Sequence, residues 1–125
     1  MEKFGLMHIV EMGVSEGATK RIKLIDSAPV SFCKPSITVM LDSLRVAYDR
    51  HILTVLLTGM GSDGMEACQR LVEDDDNNIV IAQDEEPCVV WGIPGAAAKA
   101  GLCHYVLPLE EIGETVNKLI YRKVL

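Results

Sequence analysis

The stretch His51-Ile52-Leu53-Thr54-Val55-Leu56-Leu57-Thr58, followed at once by Gly59-Met60-Gly61-Ser62-Asp63-Gly64, decides the fold. Its first part is nearly all β-branched residues or leucine, the pattern of a strand in the middle of a parallel sheet, covered on both faces. After the glycine-rich turn, Met65, Cys68, Leu71 and Val72 recur at helical spacing. In sheets of this kind ligands and catalytic groups gather at the carboxyl ends of the strands. Position alone makes the glycine loop the candidate site.

Working outward, residues 73–78 read as an exit loop and residues 79–82 as a second buried strand. Residues 83–94 form a loop, and Pro94 starts a short alanine-rich helix closed by Gly101. Residues 103–107 make a third strand, and Pro108 opens a last helix with Leu109, Ile112, Val116, Leu119 and Ile120 facing inward. Upstream, Ser36 caps a helix whose apolar stripe is Ile37, Met40, Leu41, Leu44, Ala47 and Tyr48. Before it, residues 26–35 are a loop. Residues 6–10 and 21–25 read as the arms of a β-hairpin around a turn at 13–17. Alternating strands and helices predict an α/β fold: a three-layer parallel sheet with flanking helices, part of a doubly wound Rossmann-like sheet, plus the N-terminal β-hairpin.

At 125 residues the chain reads as a single domain, 1–125, and 49% apolar residues suffice for a core. Twelve basic against eighteen acidic residues give a net charge of −6 with no basic stripe, which argues against nucleic acid as a partner. The longest apolar run, 52–57, is far short of the roughly 18 residues that suggest a membrane helix. The N-terminus has no signal-peptide order. Cys33, Cys68, Cys88 and Cys103 are widely spaced, so a reduced, cytoplasmic protein is expected, with the cysteines acting as small hydrophobes. Zinc held by Cys103, His104 and a distant partner would lack the usual short-spaced ligand pairs. No metal and no cofactor are expected.

The loop supports competing readings. Gly59, Gly61 and Gly64 spell G-x-G-x-x-G, and Asp84 follows twenty residues after Gly64, as in dinucleotide-binding folds. Against that, Asp63 would set a carboxylate where a pyrophosphate must meet the helix N-terminus. In the second reading Asp63 orients a histidine and stabilises its imidazolium, the acid's role in a Ser-His-Asp arrangement. The neighbouring glycines then let a backbone N–H turn towards a developing oxyanion. In the third, Asp63 merely caps the helix that follows it. Gly13-Val14-Ser15-Glu16-Gly17 matches the nucleophile pattern G-x-S-x-G, but a strand follows it where that motif needs a helix. His51 and His104 stand at the starts of their strands, and at about 3.3 Å per residue His51 lies over ~20 Å from Thr58. His8 is in the hairpin. None is a convincing partner for Asp63.

Leu57-Thr58-Gly59-Met60-Gly61-Ser62-Asp63-Gly64 resembles the C-terminal part of chemotaxis protein-glutamate methylesterases, the CheB-type catalytic domain. The similarity continues through Ile81-Ala82-Gln83-Asp84-Glu85, Cys88-Val89-Val90-Trp91-Gly92-Ile93-Pro94, Ala100-Gly101 and Val106-Leu107-Pro108-Leu109-Glu110-Glu111-Ile112. Upstream, Ala28-Pro29-Val30 and Lys34-Pro35-Ser36-Ile37-Thr38-Val39 resemble the stretch before the family's helix. The resemblance implies hydrolysis of glutamyl methyl esters on chemoreceptors by a Ser-His-Asp triad, with methanol released. It makes Asp63 the triad acid and Met60 the residue whose backbone N–H helps form the oxyanion hole.

It also implies departures. The family's serine and histidine belong to a segment before these blocks, and by alignment Ser15 is not the nucleophile. Gly95 stands where the family has a basic residue, and Asp74-Asp75-Asp76-Asn77-Asn78 replaces a glycine pair. The expectation is therefore a truncated or degenerate methylesterase-like domain, inactive alone, whose partners are a methylated chemoreceptor or a missing N-terminal half-domain. The alternatives are a non-enzymatic, self-associating interaction module, because an incomplete sheet exposes an edge, and the dinucleotide binder.

Overall fold

Ile79-Val80-Ile81-Ala82-Gln83 is the stretch whose environment best matches its composition. In the computed structural model, which describes residues 6–12, 19–25, 36–48, 51–85 and 90–124, Val80 to Gln83 are all buried. The molecule falls into two compact units, Met1–Ile52 with Asp63–Asn78, and Leu53–Ser62 with Ile79–Leu125.

The second unit holds the parallel sheet. β3 (Leu53–Leu56), β4 (Ile79–Gln83) and β5 (Tyr105–Leu107) lie in the order β3-β4-β5. The register sets Leu53 opposite Ile79 and Ile81 opposite Tyr105. Helices α3 (Gly92–Lys99) and α4 (Leu109–Val124) lie against β4. A strand between two others and under helices has no solvent face, which is why β4 carries no charge. β3 is shorter than its apolar run predicts and alternates in burial: Thr54 and Leu56 are covered, whereas Leu57 is exposed. The chain leaves the ladder there because Thr58 donates its N–H to the side chain of Gln83 at 3.0 Å and Gly59 bridges to Trp91. In α4 only Ile112 is fully buried among the described residues. Leu109 and Ile120, expected inward, are exposed, so the helix touches the sheet over a narrower stripe than its periodicity suggests.

The first unit contains β1 (Leu6–Met12), paired antiparallel with β2 (Thr19–Ile25) so that Ile9 faces Ile22. The expected turn at 13–17, with Ser15, lies outside the described residues, as do Cys33 and Cys88. Helices α1 (Ile37–Ala47) and α2 (Met65–Asp74) pack together. On α2, Ala67, Cys68 and Leu71 form the buried stripe that the sequence spacing requires. On α1 the buried face is Thr38, Leu41, Ser43 and Ala47, while Tyr48 ends the helix in extended backbone and is exposed. The face is turned because both hydroxyls have partners: Ser43 donates to the Met40 carbonyl at 2.6 Å and Thr38 accepts from the Gly64 N–H at 2.9 Å. A buried hydroxyl so bonded escapes most of the desolvation cost.

The acidic exit of α2 is built rather than loose. Asp74 and Asp75 sit where the helix dipole disfavours anions. Asp74 is offset by Arg45 at 2.9 Å, and Nε2 of His51 lies 3.5 Å from the Asp75 carboxylate. Buried Asn78 accepts the Ile52 N–H and donates to the Leu71 carbonyl, both at 2.8 Å, closing the helix end. A glycine pair could make neither bond.

Candidate active site

Asp63 is 4% exposed, and three donors converge on its carboxylate. The Ser36 hydroxyl donates to Oδ1 at 2.7 Å, the Thr38 N–H to Oδ1 at 3.3 Å, and the Ile37 N–H to Oδ2 at 2.5 Å. Ile37 and Thr38 are the first residues of α1, so their amides are among the four that a helix start leaves without partners. Asp63 thus caps a helix, but α1 rather than the α2 that follows it. Ser36 stands at the cap position of α1 and makes no cap bond of its own, because its hydroxyl has turned to the carboxylate. In return the Gly64 N–H, at the start of α2, is taken by Thr38.

This reciprocal clasp explains Gly64. Its φ of +95° is left-handed, and a Cβ there would lie 2.7 Å from Cγ2 of Ile37. The other glycines of the loop answer to different neighbours. A Cβ on Gly59 would meet Cδ1 of Ile93 at 2.6 Å, and one on Gly92 would meet the backbone N of Gly61 at 2.6 Å. Gly59 is further fixed by donating to the Val90 carbonyl and accepting from the Ile93 N–H, each at 3.0 Å. Close packing therefore accounts for Gly59 and Gly64 of the G-x-G-x-x-G pattern without a phosphate. Asp84 accepts from the Glu85 N–H at 2.6 Å.

Met60 follows Gly59 and is 81% exposed. Among the described residues its N–H makes no hydrogen bond. His51 pairs with Asp75, and Nδ1 of His104 accepts the Val80 N–H at 3.1 Å. His8 lies on β1 opposite Lys23. The Cys103 thiol, next to His104, has its pKa raised by burial, which disfavours the thiolate a metal needs. Gly95 also has a local reason: a Cβ there would sit 2.7 Å from the Trp91 ring, which is held by its indole N–H donating to the Gln83 carbonyl at 2.7 Å.

Asp63 was legible as a candidate from the loop itself, whereas Met60 was named only through the family resemblance. Ser36 was expected only as a cap, and Thr38 was not singled out. The available signal was a helix start bearing two hydroxyls and no acid in its first turn, a start that leaves room for a carboxylate from elsewhere.

The family model for the CheB methylesterase matches residues 6–116. The chain belongs to that family. It is 43% identical over 110 residues to the protein-glutamate methylesterase/protein-glutamine glutaminase of group 2 operon from Rhodospirillum centenum, over 88% of this chain and 27% of the relative. It is 46% identical over 109 residues to the corresponding enzyme 1 of Paramagnetospirillum magneticum, over 87% of this chain and 28% of the relative. The crystal structure of the Thermotoga maritima CheB methylesterase catalytic domain superposes with a TM-score of 0.75 at 32% identity, covering 94% of this chain and 58% of that one. The parallel sheet with flanking helices is thus the CheB catalytic-domain fold. This CheB-type chain spans about a quarter of the length of the curated relatives it matches. No helix among its described residues is long and apolar enough to cross a membrane.

Proposed function

We propose that this chain is the acid-bearing portion of a protein-glutamate methylesterase catalytic domain, with Asp63 as the triad acid and the Met60 N–H as an oxyanion donor. The observation that carries the reading is the state of the Asp63 carboxylate. It is buried and held by three donors, and a carboxylate offers about four acceptor directions, so one direction on Oδ2 remains for an imidazole N–H. A buried aspartate so placed fixes the histidine tautomer and stabilises the imidazolium formed as the hydroxyl attacks.

The serine nucleophile and histidine base come from a segment outside these 125 residues, and the chain alone is inactive. The substrate is a glutamyl methyl ester of a methylated chemoreceptor. Attack on its carbonyl gives a tetrahedral oxyanion opposite the Met60 N–H, and collapse expels methanol. The relatives' names also include glutaminase, and the same steps on a glutamine side chain expel ammonia. The protein works in the cytoplasm, where that substrate is presented.

The test mixes this chain with the part of the Rhodospirillum centenum relative that precedes the matched region, and measures methanol released from a methylated chemoreceptor. Release that requires both pieces and disappears in Asp63→Asn is the expected result. No methanol at any ratio would overturn the proposal.

A further inference from the structure

The hydroxyl of Ser36 does something unusual for a residue at a helix cap. Serine there ordinarily accepts from an amide one turn in. Here that bond is absent and the hydroxyl donates to Asp63 instead. The residue is 2% exposed, so the hydroxyl has no access to water as an alternative.

The choice has a geometric consequence. The torsion that turns an aspartate carboxylate is broad and two-fold. Two adjacent backbone amides can hold a carboxylate to a helix start in more than one rotation. A third donor that selects one oxygen breaks that symmetry. In this molecule Oδ1 receives both Ser36 and Thr38, which fills its two acceptor directions, while Oδ2 receives only Ile37. The asymmetry leaves the single open direction on a defined oxygen. Thr38 secures the same arrangement from the other side by holding the Gly64 N–H at 2.9 Å, so the backbone carrying Asp63 is tied to the helix that receives its side chain.

We propose that Ser36 is a positioning residue for the catalytic acid: its hydroxyl fixes the rotation of the Asp63 carboxylate and so reserves Oδ2 for the histidine N–H. The inference rests on Asp63 being the triad acid. Ser36 touches neither substrate nor nucleophile and acts only through Asp63.

The test has two readouts on Ser36→Ala and on Ser36→Thr, which restores a hydroxyl. The first is the orientation of the Asp63 carboxylate about its Cβ–Cγ bond, read in crystal structures of the 125-residue chain and its two variants. The unsubstituted chain and Ser36→Thr should share one orientation, and Ser36→Ala should show a rotated or split carboxylate. The second is methanol release by the two-piece mixture described above. There kcat should fall by about 10- to 100-fold in Ser36→Ala, with KM unchanged and the loss recovered in Ser36→Thr. A lost helix anchor without a positioning role would lower the melting temperature but would not separate kcat from KM in this way.

A carboxylate that keeps its orientation in Ser36→Ala overturns the proposal whatever the activity. A rotated or split carboxylate with undiminished kcat overturns it too. Absence of methanol from the unsubstituted mixture is a different failure: it removes the catalytic reading of Asp63 and takes the positioning role with it.

Discussion

Residues 59–62 and residues 63–64 are consecutive in one glycine loop, yet they are held by different means. The first four residues are shaped by close approach: Gly59 lies against Ile93 and Gly61 against Gly92, and the side chain between them, Met60, is 81% exposed. The last two are shaped by hydrogen bonding in a buried setting, where Asp63 takes three donors and Gly64 gives its N–H to Thr38. The catalytic role proposed for the loop needs both conditions. A backbone donor for a developing charge must be open to substrate, whereas an acid that orients a base must not wander. The contrast teaches that the loop's glycines are not interchangeable and that its one carboxylate is structurally committed.

The sharpest way to break the contrast is Asp63→Ala. It leaves the Ser36 hydroxyl and the α1 amides without an acceptor, and stability should fall by about 3–5 kcal/mol in urea denaturation. Gly64→Ala comes next, at about 2–4 kcal/mol, because a left-handed φ and a contact with Ile37 act together. Thr38→Val, which keeps the shape and removes the acceptor for the Gly64 N–H, should cost about 1–2 kcal/mol. Gly61→Ala sharpens the comparison: its φ is also left-handed, at +88°, but nothing lies within 4 Å of the added carbon. Only the backbone term remains there, about 1 kcal/mol. Met60→Ala should change stability by less than about 0.5 kcal/mol. Equal losses for Gly61→Ala and Gly64→Ala in parallel thermal melts would erase the distinction.

The parts of the fold that a sequence states openly are those where one residue's surroundings follow from its neighbours in the chain. β4 was legible because an uninterrupted apolar run needs cover on both faces, and α2 because Cys68 and Leu71 fall on one helical stripe. β3 was over-extended, since Leu57 is as apolar as Leu56 but the chain turns away to meet residues 90–91. The turned face of α1 was hidden because a threonine is counted as polar until its acceptor role is known. Of the site, Asp63 was visible as a carboxylate at a helix start, but the helix it serves was not. Its partners lie 25 to 27 residues earlier, and no local pattern couples them.

That separation also sets a schedule. α1 is an 11-residue helix, below the length at which isolated helices hold together in water. Its cap emerges only after a further 27 residues have been joined to Ser36. At about 5–20 residues per second of synthesis, the nascent helix waits one or more seconds for the side chain that completes its first turn. Until residue 63 has been joined, the start of the helix lacks the carboxylate that completes its first turn.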